Sequence, residues 1–536
     1  MLSLRRSIVT LSAAIFLLAA CSSGGGSSKS GSEHSSKSAK STHATAEAQH
    51  PNVVFLLTDD LDDAEISVMP NLHRLIADQG ATFDKYYASV SLCCPSRSTT
   101  LRGQYSHNTG VKTNGGTNGG FETAHRLGIE SSTIGTWMQA AGYKTAYIGK
   151  YLNGYPDTVK PTYVPPGWNE FASAAKGHPY TEYNYTLNVN GKLVPYGSAP
   201  ADYGTTVYVG KAASFIEQQS AAHNPFFVYL NAYAPHQPAT PAPQDVGKFA
   251  GAQAPRTPSF NVVQPTKPLW VRSLPPMGPR VIQRVDSLYQ RRIESLQAVD
   301  RGIGTLVSTL QKAGQLDNTY FVFTSDNGFH LGQFRMPSGK QTAYETDIHL
   351  PLMVRGPGVS QGSKIDALVG NTDLAPTFAD MGDAQVPSFV DGRSFLPSLL
   401  GKVPDDGTRQ SYLIEHWKEV DTSTGTKRGN APLEPADQDQ TGVGKRKAKG
   451  GLRVSRASLS NIPEYHGVRT ARYLYVEYST GERELYDVPA DPYELQNLAA
   501  DPAQASVVAR LHDVLHALET CSGASCRTAE DMSVPG

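Results

Sequence analysis

The sequence predicts an α/β fold in which helices flank a large, mainly parallel sheet, with a smaller C-terminal α+β subdomain built on an antiparallel sheet. Three apolar runs of strand length support the large sheet: NVVFLLT at 52–58, NPFFVYLNAYAPH at 224–236 and TYFVFTSDNG at 319–328. Helical patterns at 133–141 and 284–313 separate these runs. Strands that are apolar throughout and alternate with helices are typical of a parallel sheet covered on both faces.

The sequence after residue 400 predicts the smaller subdomain. SYLIEHW, YHGVRTARYLYVEY and ERELYDV read as antiparallel strands, and a helix follows over 502–519. Because 536 residues exceed the usual size of a single core, we divide the chain into a large domain at 51–400, the subdomain at 401–520 and a tail at 521–536. Residues 427–456 are rich in glycine and basic residues, which predicts either a solvated loop or a surface that guides a polyanionic chain.

The N-terminus predicts export and attachment to a membrane. Residues 1–20 contain two arginines and then an apolar run too short to span a bilayer, which is typical of a signal peptide. The sequence LAAC at 18–21 resembles a bacterial lipobox, which implies a lipid on Cys21; an ordinary secretory signal is the alternative. Residues 21–50 are rich in Ser, Gly, Lys and His and predict a flexible tether. We therefore expect a lipoprotein of the cell envelope, anchored to a membrane and facing outside the cytoplasm.

Net charge and cysteine content narrow the possible partners and sites. The formal net charge of −1 gives no indication of a nucleic-acid partner. Cys521 and Cys526 are placed to form a short-loop disulfide in an oxidising compartment. Cys93 and Cys94 are adjacent, and adjacent cysteines rarely bridge because of disulfide geometry. The sequence also lacks the second cysteine or histidine cluster that a zinc site would require.

Polar residues follow each of the three apolar runs. Asp59 and Asp60 end the first run, His236 ends the second, and Asp326 and Asn327 end the third. Ligands of parallel sheets bind beyond the carboxyl ends of the strands, so we expect these side chains to meet. Their carboxylate and amide oxygens favour a hard divalent cation, Ca²⁺ before Mg²⁺ where the site is roomy. Each cluster taken alone is also typical of a turn or a helix cap.

A series of ordered motifs resembles the formylglycine-dependent sulfatase family. CCPSR at 93–97 fits the signature Cys-x-Pro-Ser-Arg, with Cys93 in the first position. The other motifs fall in sulfatase order, and they are PNVVFLLTDD, YIGKYLNGY, AYAPHQP, FTSDNGFHLGQF, GKQTAYETDIHLPLMVRGPG and ELYDVPADPYELQNLA. The resemblance runs from about residue 51 to 515 and is strongest to the branch of N-acetylglucosamine-6-sulfatases and extracellular heparan sulfatases. It implies an alkaline-phosphatase-like fold.

The resemblance implies that Cys93 is not used as a thiol. A maturation enzyme that recognises Cys-x-Pro-x-Arg would oxidise it to formylglycine, an aldehyde. The aldehyde hydrates to a geminal diol, in which one oxygen attacks sulfur, displaces the sugar oxygen and forms a sulfated intermediate. Deprotonation of the other hydroxyl then expels sulfate by C–O cleavage and regenerates the aldehyde. We expect one Ca²⁺ at this centre, held by Asp59, Asp60, Cys93, Asp326 and Asn327.

The resemblance also implies roles for four cationic or basic side chains. Arg97 would hold the diol and the metal-bound oxygens. Lys150 and Lys340 match the lysines that bind sulfate, and His236 matches the histidine that binds the ester and protonates the leaving oxygen. These assignments supply the cations and donors that a developing negative charge requires.

One departure from the family pattern follows Lys150. Many sulfatases have Lys-x-His at this point, and the histidine assists elimination of sulfate, whereas this chain has Lys-Tyr-Leu-Asn. The base that deprotonates the second hydroxyl therefore stays unassigned. Asn153 could orient the substrate but cannot act as a base, and His107 and His330 are further candidates for substrate contact.

The expected function is that of a sulfuric ester hydrolase acting on a sulfated sugar or glycosaminoglycan fragment, with the 6-sulfate of N-acetylglucosamine as the target. One alternative is a phosphodiester or phosphonate hydrolase of the same superfamily, which shares the sheet and the carboxylates at the strand ends. The other is a catalytically inactive glycan-binding lipoprotein of the cell surface, in which Cys93 stays unmodified.

Overall fold

The computed structural model describes residues 50–402, 409–420 and 462–535. The predicted signal peptide and lipobox, the tether up to residue 49 and the basic loop at 427–456 lie outside the described residues. In the described part, no helix combines the length and apolar character needed to cross a membrane.

The strands fall into one large sheet, one small two-stranded sheet and one C-terminal sheet. In chain order they are β1 Asn52–Asp59, β2 Ala81–Phe83, β3 Tyr86–Tyr87, β4 Lys144–Gly149, β5 Glu170–Gly177, β6 Tyr185–Val189, β7 Lys192–Tyr196, β8 Phe226–Pro235, β9 Thr319–Ser325, β10 Leu352–Arg355, β11 Ser363–Ile365, β12 Val369–Gly370, β13 Ser411–His416, β14 Tyr465–Thr470, β15 Tyr473–Tyr478 and β16 Arg483–Asp487.

The α-helices of the described residues vary from single turns to one long helix. They are α1 Pro70–Leu72, α2 Cys93–Arg102, α3 Ser106–Thr109, α4 Gly120–Arg126, α5 Ile134–Ala140, α6 Gly204–Ala221, α7 Leu269–Arg272, α8 Pro279–Lys312, α9 Glu345–Ile348, α10 Leu374–Met381, α11 Leu396–Leu399, α12 Ala505–Glu519 and α13 Ala524–Glu530.

The large sheet has ten strands in the order β11-β2-β10-β9-β1-β8-β4-β5-β6-β7. Its centre, β9-β1-β8-β4-β5, is parallel, and β1 is paired on both sides, with Val53 opposite Phe227 of β8 and Tyr320 of β9. Antiparallel pairs occur nearer the edges, where β10 joins β9 to β2 and the β6–β7 hairpin extends β5. The three apolar runs are thus adjacent central strands, which confirms the predicted fold class.

Helices cover both faces of the sheet. Successive residues of β1 point to opposite faces, so its side chains pack into two different cores. Val53 and Phe55 lie in a core that includes residues of α2, α5 and α10, and the Phe55 ring is 4.8 Å from that of Phe378. Val54 and Leu56 lie in a second core, which includes residues of α6 and α8. A strand buried on both faces has no need for alternating polar residues, and this explains its continuous apolar run.

The C-terminal sheet is antiparallel in the order β13-β14-β15-β16, with α12 packed against it. The predicted disulfide between Cys521 and Cys526 is present just before and within α13. This part contacts the larger sheet region directly, since the Glu415 backbone N–H donates to the Ser89 carbonyl at 2.7 Å. The predicted strands and helix of this region are confirmed.

Candidate active site

Four adjacent parallel strands bring polar residues to one edge of the large sheet. Asp59 is the last residue of β1, Lys150 follows β4, His236 follows β8 and Asp326 follows β9. Because the strand order is β9-β1-β8-β4, their carboxyl ends lie side by side. The polar ends of the three apolar runs therefore meet, and β4 contributes a fourth.

Asp60 has a backbone conformation that non-glycine residues rarely adopt. Its φ is +66°, in the left-handed region. The Asp60 N–H donates to Asp326 Oδ1 at 3.1 Å, and its carbonyl accepts a bond from the buried Arg292 guanidinium. Both contacts hold the strained residue in place, and strain of this kind clusters at functional sites.

Cys93 lies at the centre of the cluster, as the first residue of α2. Its Sγ is 3.4 Å from Asp59 Oδ1, 3.8 Å from Asp60 Oδ1 and 2.7 Å from Lys340 Nζ. The exposed N–H groups at a helix N-terminus favour an anion. Burial, together with the Asp59 carboxylate, raises the pKa of the Cys93 thiol well above its usual value. Such a thiol is a poor nucleophile, because the thiolate is the reactive form.

Lysines neutralise the two aspartates that end β1. Lys150 Nζ is 2.7 Å from Asp59 Oδ2, and Lys340 Nζ is 2.5 Å from Asp60 Oδ1. Burial acts to raise the pKa of both carboxyls, but Lys150 at Asp59 and Lys340 at Asp60, helped by His236, outweigh it and lower both pKa values. Both aspartates are thus ionised, as metal ligands must be.

Arg97 connects α2 to the ends of β9 and β8. Its Nε donates to Asp326 Oδ2 at 2.8 Å, and its Nη1 donates to Asn231 Oδ1 at 3.0 Å. Burial raises the pKa of Asp326 to about 6, against the opposing effect of Arg97. Sequence reasoning missed Asn231, although a polar residue within an otherwise apolar run was the signal available for it.

His236 is oriented by both of its ring nitrogens and by a neighbouring ring. Nδ1 is 2.7 Å from the Gln237 carbonyl, so Nδ1 carries a proton that it donates to this carbonyl, and Nε2 faces Asp60 Oδ2 at 3.5 Å. The ring of Tyr180 lies 4.6 Å from the His236 ring, measured between centroids. Tyr180 lies in the connection between β5 and β6, outside the motifs at the strand ends. The sequence therefore carried no signal that it would approach the site.

The cluster has the donor set of a cation site. Ligand atoms of Asp59, Asp60, Cys93 and His236 all lie within 4.8 Å of one another. Asn327 Nδ2 donates to Asp60 Oδ1 at 2.7 Å, while Asn327 Oδ1 is buried and has no hydrogen-bond partner among the described residues. A buried oxygen without a partner is rare and fits a ligand position. This buried group of residues could bind a metal ion.

Three further candidates have different surroundings. Both ring nitrogens of His107 are engaged in the C-terminal region, with Nδ1 2.6 Å from Glu415 and Nε2 3.0 Å from the Cys521 carbonyl. His330 is fully buried, with Nδ1 3.0 Å from Asp347. In the described parts of the chain, His330 Nε2 and Asn153 Oδ1 are buried without a hydrogen-bond partner. His107 thus connects the C-terminal region to α3, and its position gives no support to substrate contact.

Comparison with known proteins places this geometry in a family. The family model described as Sulfatase matches residues 51–384. The chain is 35% identical over 505 residues to N-acetylglucosamine-6-sulfatase of Homo sapiens, covering 90% of this chain and 87% of that protein. It is also 35% identical over 411 residues to the extracellular sulfatase SULF-1 homolog of Drosophila melanogaster. That alignment covers 75% of this chain and 36% of that protein, so this chain spans about a third of the relative's length.

A solved structure shares the fold. A protein in complex with its substrate D-glucosamine-2-N,6-O-disulfate superposes with a TM-score of 0.70 at 23% identity, covering 90% of this chain and 100% of that one. The sheet with its strand-end carboxylates defines an α/β protein of the alkaline-phosphatase-like architecture. The chain belongs to the sulfatase family, which confirms the resemblance seen in its motifs.

Proposed function

We propose that this protein is a sulfuric ester hydrolase that removes the 6-O-sulfate from N-acetylglucosamine in a sulfated sugar. The observation that carries the proposal is the position of Cys93, at the start of α2 and between the aspartates of β1 and Lys340. The Homo sapiens relative, named N-acetylglucosamine-6-sulfatase, supports the substrate class.

In this proposal, Cys93 is oxidised by a maturation enzyme, and the hydrated aldehyde supplies the oxygen nucleophile. Asp59, Asp60, Asp326 and Asn327 would hold a divalent cation beside it, and their oxygen donors favour Ca²⁺. When bound, the cation supplies positive charge that polarises the sulfate oxygens. The buried and unpartnered Asn327 Oδ1 supports this ligand set.

The cationic side chains would bind and orient the ester. Lys150 and Lys340 lie on either side of the aspartate pair, where their ammonium groups can donate hydrogen bonds to sulfate oxygens. Arg97 would hold the residue at position 93, and its Nη2 is buried without a hydrogen-bond partner in the described residues. These groups act on the charge that develops during sulfuryl transfer.

His236 would donate a proton to the leaving sugar oxygen. Since its Nδ1–H donates to the Gln237 carbonyl, the proton for the leaving oxygen would come from Nε2–H, which faces the site. A sugar alkoxide is a poor leaving group, so protonation of this oxygen lowers the barrier. Asn153 and His330, each with a buried polar atom that lacks a partner in the described residues, stay proposed contacts for the substrate.

The test is release of inorganic sulfate from N-acetylglucosamine-6-sulfate by the full-length protein. Mass spectrometry first verifies that Cys93 has been converted to formylglycine. The control is Cys93→Ala from the same host. We expect sulfate release only from the wild type, and a verified formylglycine protein that releases none from this sugar would contradict the proposed substrate.

Two measurements separate the alternatives. Rates on an aryl sulfate, an aryl phosphate diester and phenylphosphonate, compared at equal enzyme concentration, distinguish a sulfatase from a phosphodiester or phosphonate hydrolase. A thiol that persists at Cys93 in the native host, with no turnover of any of these esters, would favour the inactive glycan-binding protein.

We also propose export and anchoring through a lipid on Cys21. The Drosophila melanogaster relative is named an extracellular sulfatase, and the Cys521–Cys526 disulfide is typical of an oxidising compartment. Metabolic labelling with a radioactive fatty acid tests the anchor, with Cys21→Ser as the control. Absence of label from the wild type would contradict lipid attachment while leaving export intact.

A further inference from the structure

We propose that Tyr180 is a positioning residue of the active site, whose aromatic ring holds both the Lys150 ammonium and the His236 imidazole. This inference rests on the proposed function, because it assigns Tyr180 to the two groups that would bind the ester and protonate its leaving oxygen. Tyr180 lies in the short 3-10 turn Pro179–Thr181, between β5 and β6.

The ring of Tyr180 contacts both groups at once. Lys150 Nζ lies 5.1 Å from the ring centroid, and the His236 ring lies 4.6 Å away with its plane tilted by 52°. The exposed fractions of Tyr180, Lys150 and His236 are 5%, 3% and 9%. All three side chains are therefore withdrawn from water, where a cation near an aromatic face is stabilised most strongly.

The Lys150 ammonium is held between two different partners. Asp59 Oδ2 lies 2.7 Å from Nζ, and the ring of Tyr180 also lies within reach of Nζ. A lysine side chain has several rotatable bonds and loses conformational entropy when it is fixed. The aromatic face offsets part of this cost and directs the ammonium toward the ends of the strands.

The turn that carries Tyr180 is itself fixed to the N-terminus of α6. The Thr205 N–H donates to Glu182 Oε2 at 2.6 Å, and the Gly204 N–H donates to the Glu182 carbonyl at 2.9 Å. The Tyr233 ring packs edge-on against Tyr180 at 4.9 Å. Tyr180 therefore has the rigid support that a residue needs in order to position others.

The two contacts predict effects that depend on the leaving group. His236 matters most for a sugar oxygen, which needs a proton as it leaves, and least for a nitrophenolate, which leaves as an anion. Lys150 binds the sulfate group, which both kinds of ester share. Loss of the aromatic face should therefore reduce turnover of a sugar sulfate more than turnover of an aryl sulfate.

The experiment compares Tyr180→Leu and Tyr180→Phe in calcium-loaded enzyme with verified formylglycine. We expect Tyr180→Leu to lower kcat/KM about thirtyfold on N-acetylglucosamine-6-sulfate and about threefold on 4-nitrophenyl sulfate, while Tyr180→Phe stays within about threefold of wild type on both. The matched control is Tyr208→Leu, because Tyr208 is also buried and packs on Tyr233 at 5.9 Å. Its kcat/KM should stay at the wild-type value.

Three results would overturn the proposal. They are an equal loss on both esters in Tyr180→Leu, a loss in Tyr180→Phe as large as in Tyr180→Leu, and a similar loss in Tyr208→Leu. Titration of inorganic sulfate by calorimetry gives a readout without turnover, in which Tyr180→Leu should weaken sulfate binding about threefold and Tyr180→Phe should not. If wild type with formylglycine cleaves no sulfate ester, the proposed function fails, and an unchanged sulfate affinity in Tyr180→Leu would separately refute the positioning role.

Discussion

Two buried clusters in this protein both combine aspartates with cationic side chains, but they differ in how fully their polar atoms are hydrogen-bonded. In one, Arg409 bonds both oxygens of Asp373, and that carboxylate also accepts the backbone N–H groups of Gly370 and Arg393. In the other, at the ends of β1 and β9, Asn327 Oδ1 and Arg97 Nη2 are buried without hydrogen-bond partners among the described residues.

This comparison shows that charge and burial alone do not mark a functional site. The saturated carboxylate of Asp373 has the features of a structural link between the large sheet region and Arg409. In the other cluster, polar atoms lack hydrogen-bond partners among the described residues and Asp60 has a left-handed backbone. Both features indicate a site arranged to bind an ion or substrate from outside the chain. Substitutions in the two clusters should therefore separate activity from stability.

The largest effect is expected at the nucleophile and at the carboxylate that Arg97 contacts. Cys93→Ala and Asp326→Ala should each lower kcat/KM by about 10⁴-fold or more. These residues act as a unit in the proposed mechanism, so the loss of one removes most of the contribution of all. Far-ultraviolet circular dichroism should show a folded protein in both. Appreciable turnover in Cys93→Ala would contradict the proposed nucleophile.

Removal of divalent cations should have the next largest effect. Chelation of the wild type should reduce kcat about a thousandfold, since the cation offsets several kcal/mol of developing charge. Added Ca²⁺ should restore the rate. Full activity after exhaustive chelation, with metal content checked by elemental analysis, would refute the metal centre.

Disruption of the cluster around Asp373 should lower the free energy of unfolding and leave kcat/KM unchanged. Arg409→Leu leaves the buried Asp373 carboxylate unpaired, so the free energy of unfolding should fall by about 3–5 kcal/mol. Denaturant titration measures this change. As a control, Arg472→Leu removes an exposed ion pair to Asp487 and should leave the free energy of unfolding nearly unchanged. A large loss of kcat/KM in folded Arg409→Leu would contradict the purely structural role of this cluster.

A third kind of buried carboxylate predicts a smaller, pH-dependent effect. Among the described residues, the Glu182 carboxyl accepts hydrogen bonds from Thr205 and has no cationic partner, and burial raises its pKa to about 8. The folded protein keeps this proton while the unfolded chain loses it above its ordinary value of 4.5. The stability contributed is therefore complete below that value and falls as pH rises toward about 8, by at most about 1.4 kcal/mol per pH unit.

Glu182→Gln should remove this dependence. Free energies of unfolding measured by denaturant at several pH values between about 5 and 8 should decline less steeply in the variant than in the wild type. Parallel pH profiles of the two proteins would show that the Glu182 carboxyl does not titrate as the buried geometry implies.

The centre of the fold could be predicted from the sequence because its residues obey a simple rule. β1, β8 and β9 are buried on both faces, so each reads as a continuous apolar run with a polar end. The short strands at the edge, such as β2 and β11, carry no such run. Their positions depend on long-range pairing, which local patterns do not record.

The candidate site was predictable to the same extent as its motifs. Asp59, Cys93 and Asp326 lie in segments that resemble the family, and the structure brings them together. Tyr180 comes from the connection between β5 and β6, and its approach to Lys150 results from the packing of that turn on α6. Side chains that reach a site through such packing leave no spacing pattern.

The complete burial of Cys93 has a consequence for the order of events in biogenesis. Its exposed fraction is 0% in the folded chain, and the residues of α2 around it are equally enclosed. A maturation enzyme cannot bind a segment that is packed into the fold in this way, so the proposed conversion of Cys93 would have to precede the packing of α2 against the sheet. Chains that fold before conversion would be stable but inactive. The fraction of active protein would then depend on the rate of folding relative to the rate of conversion during synthesis.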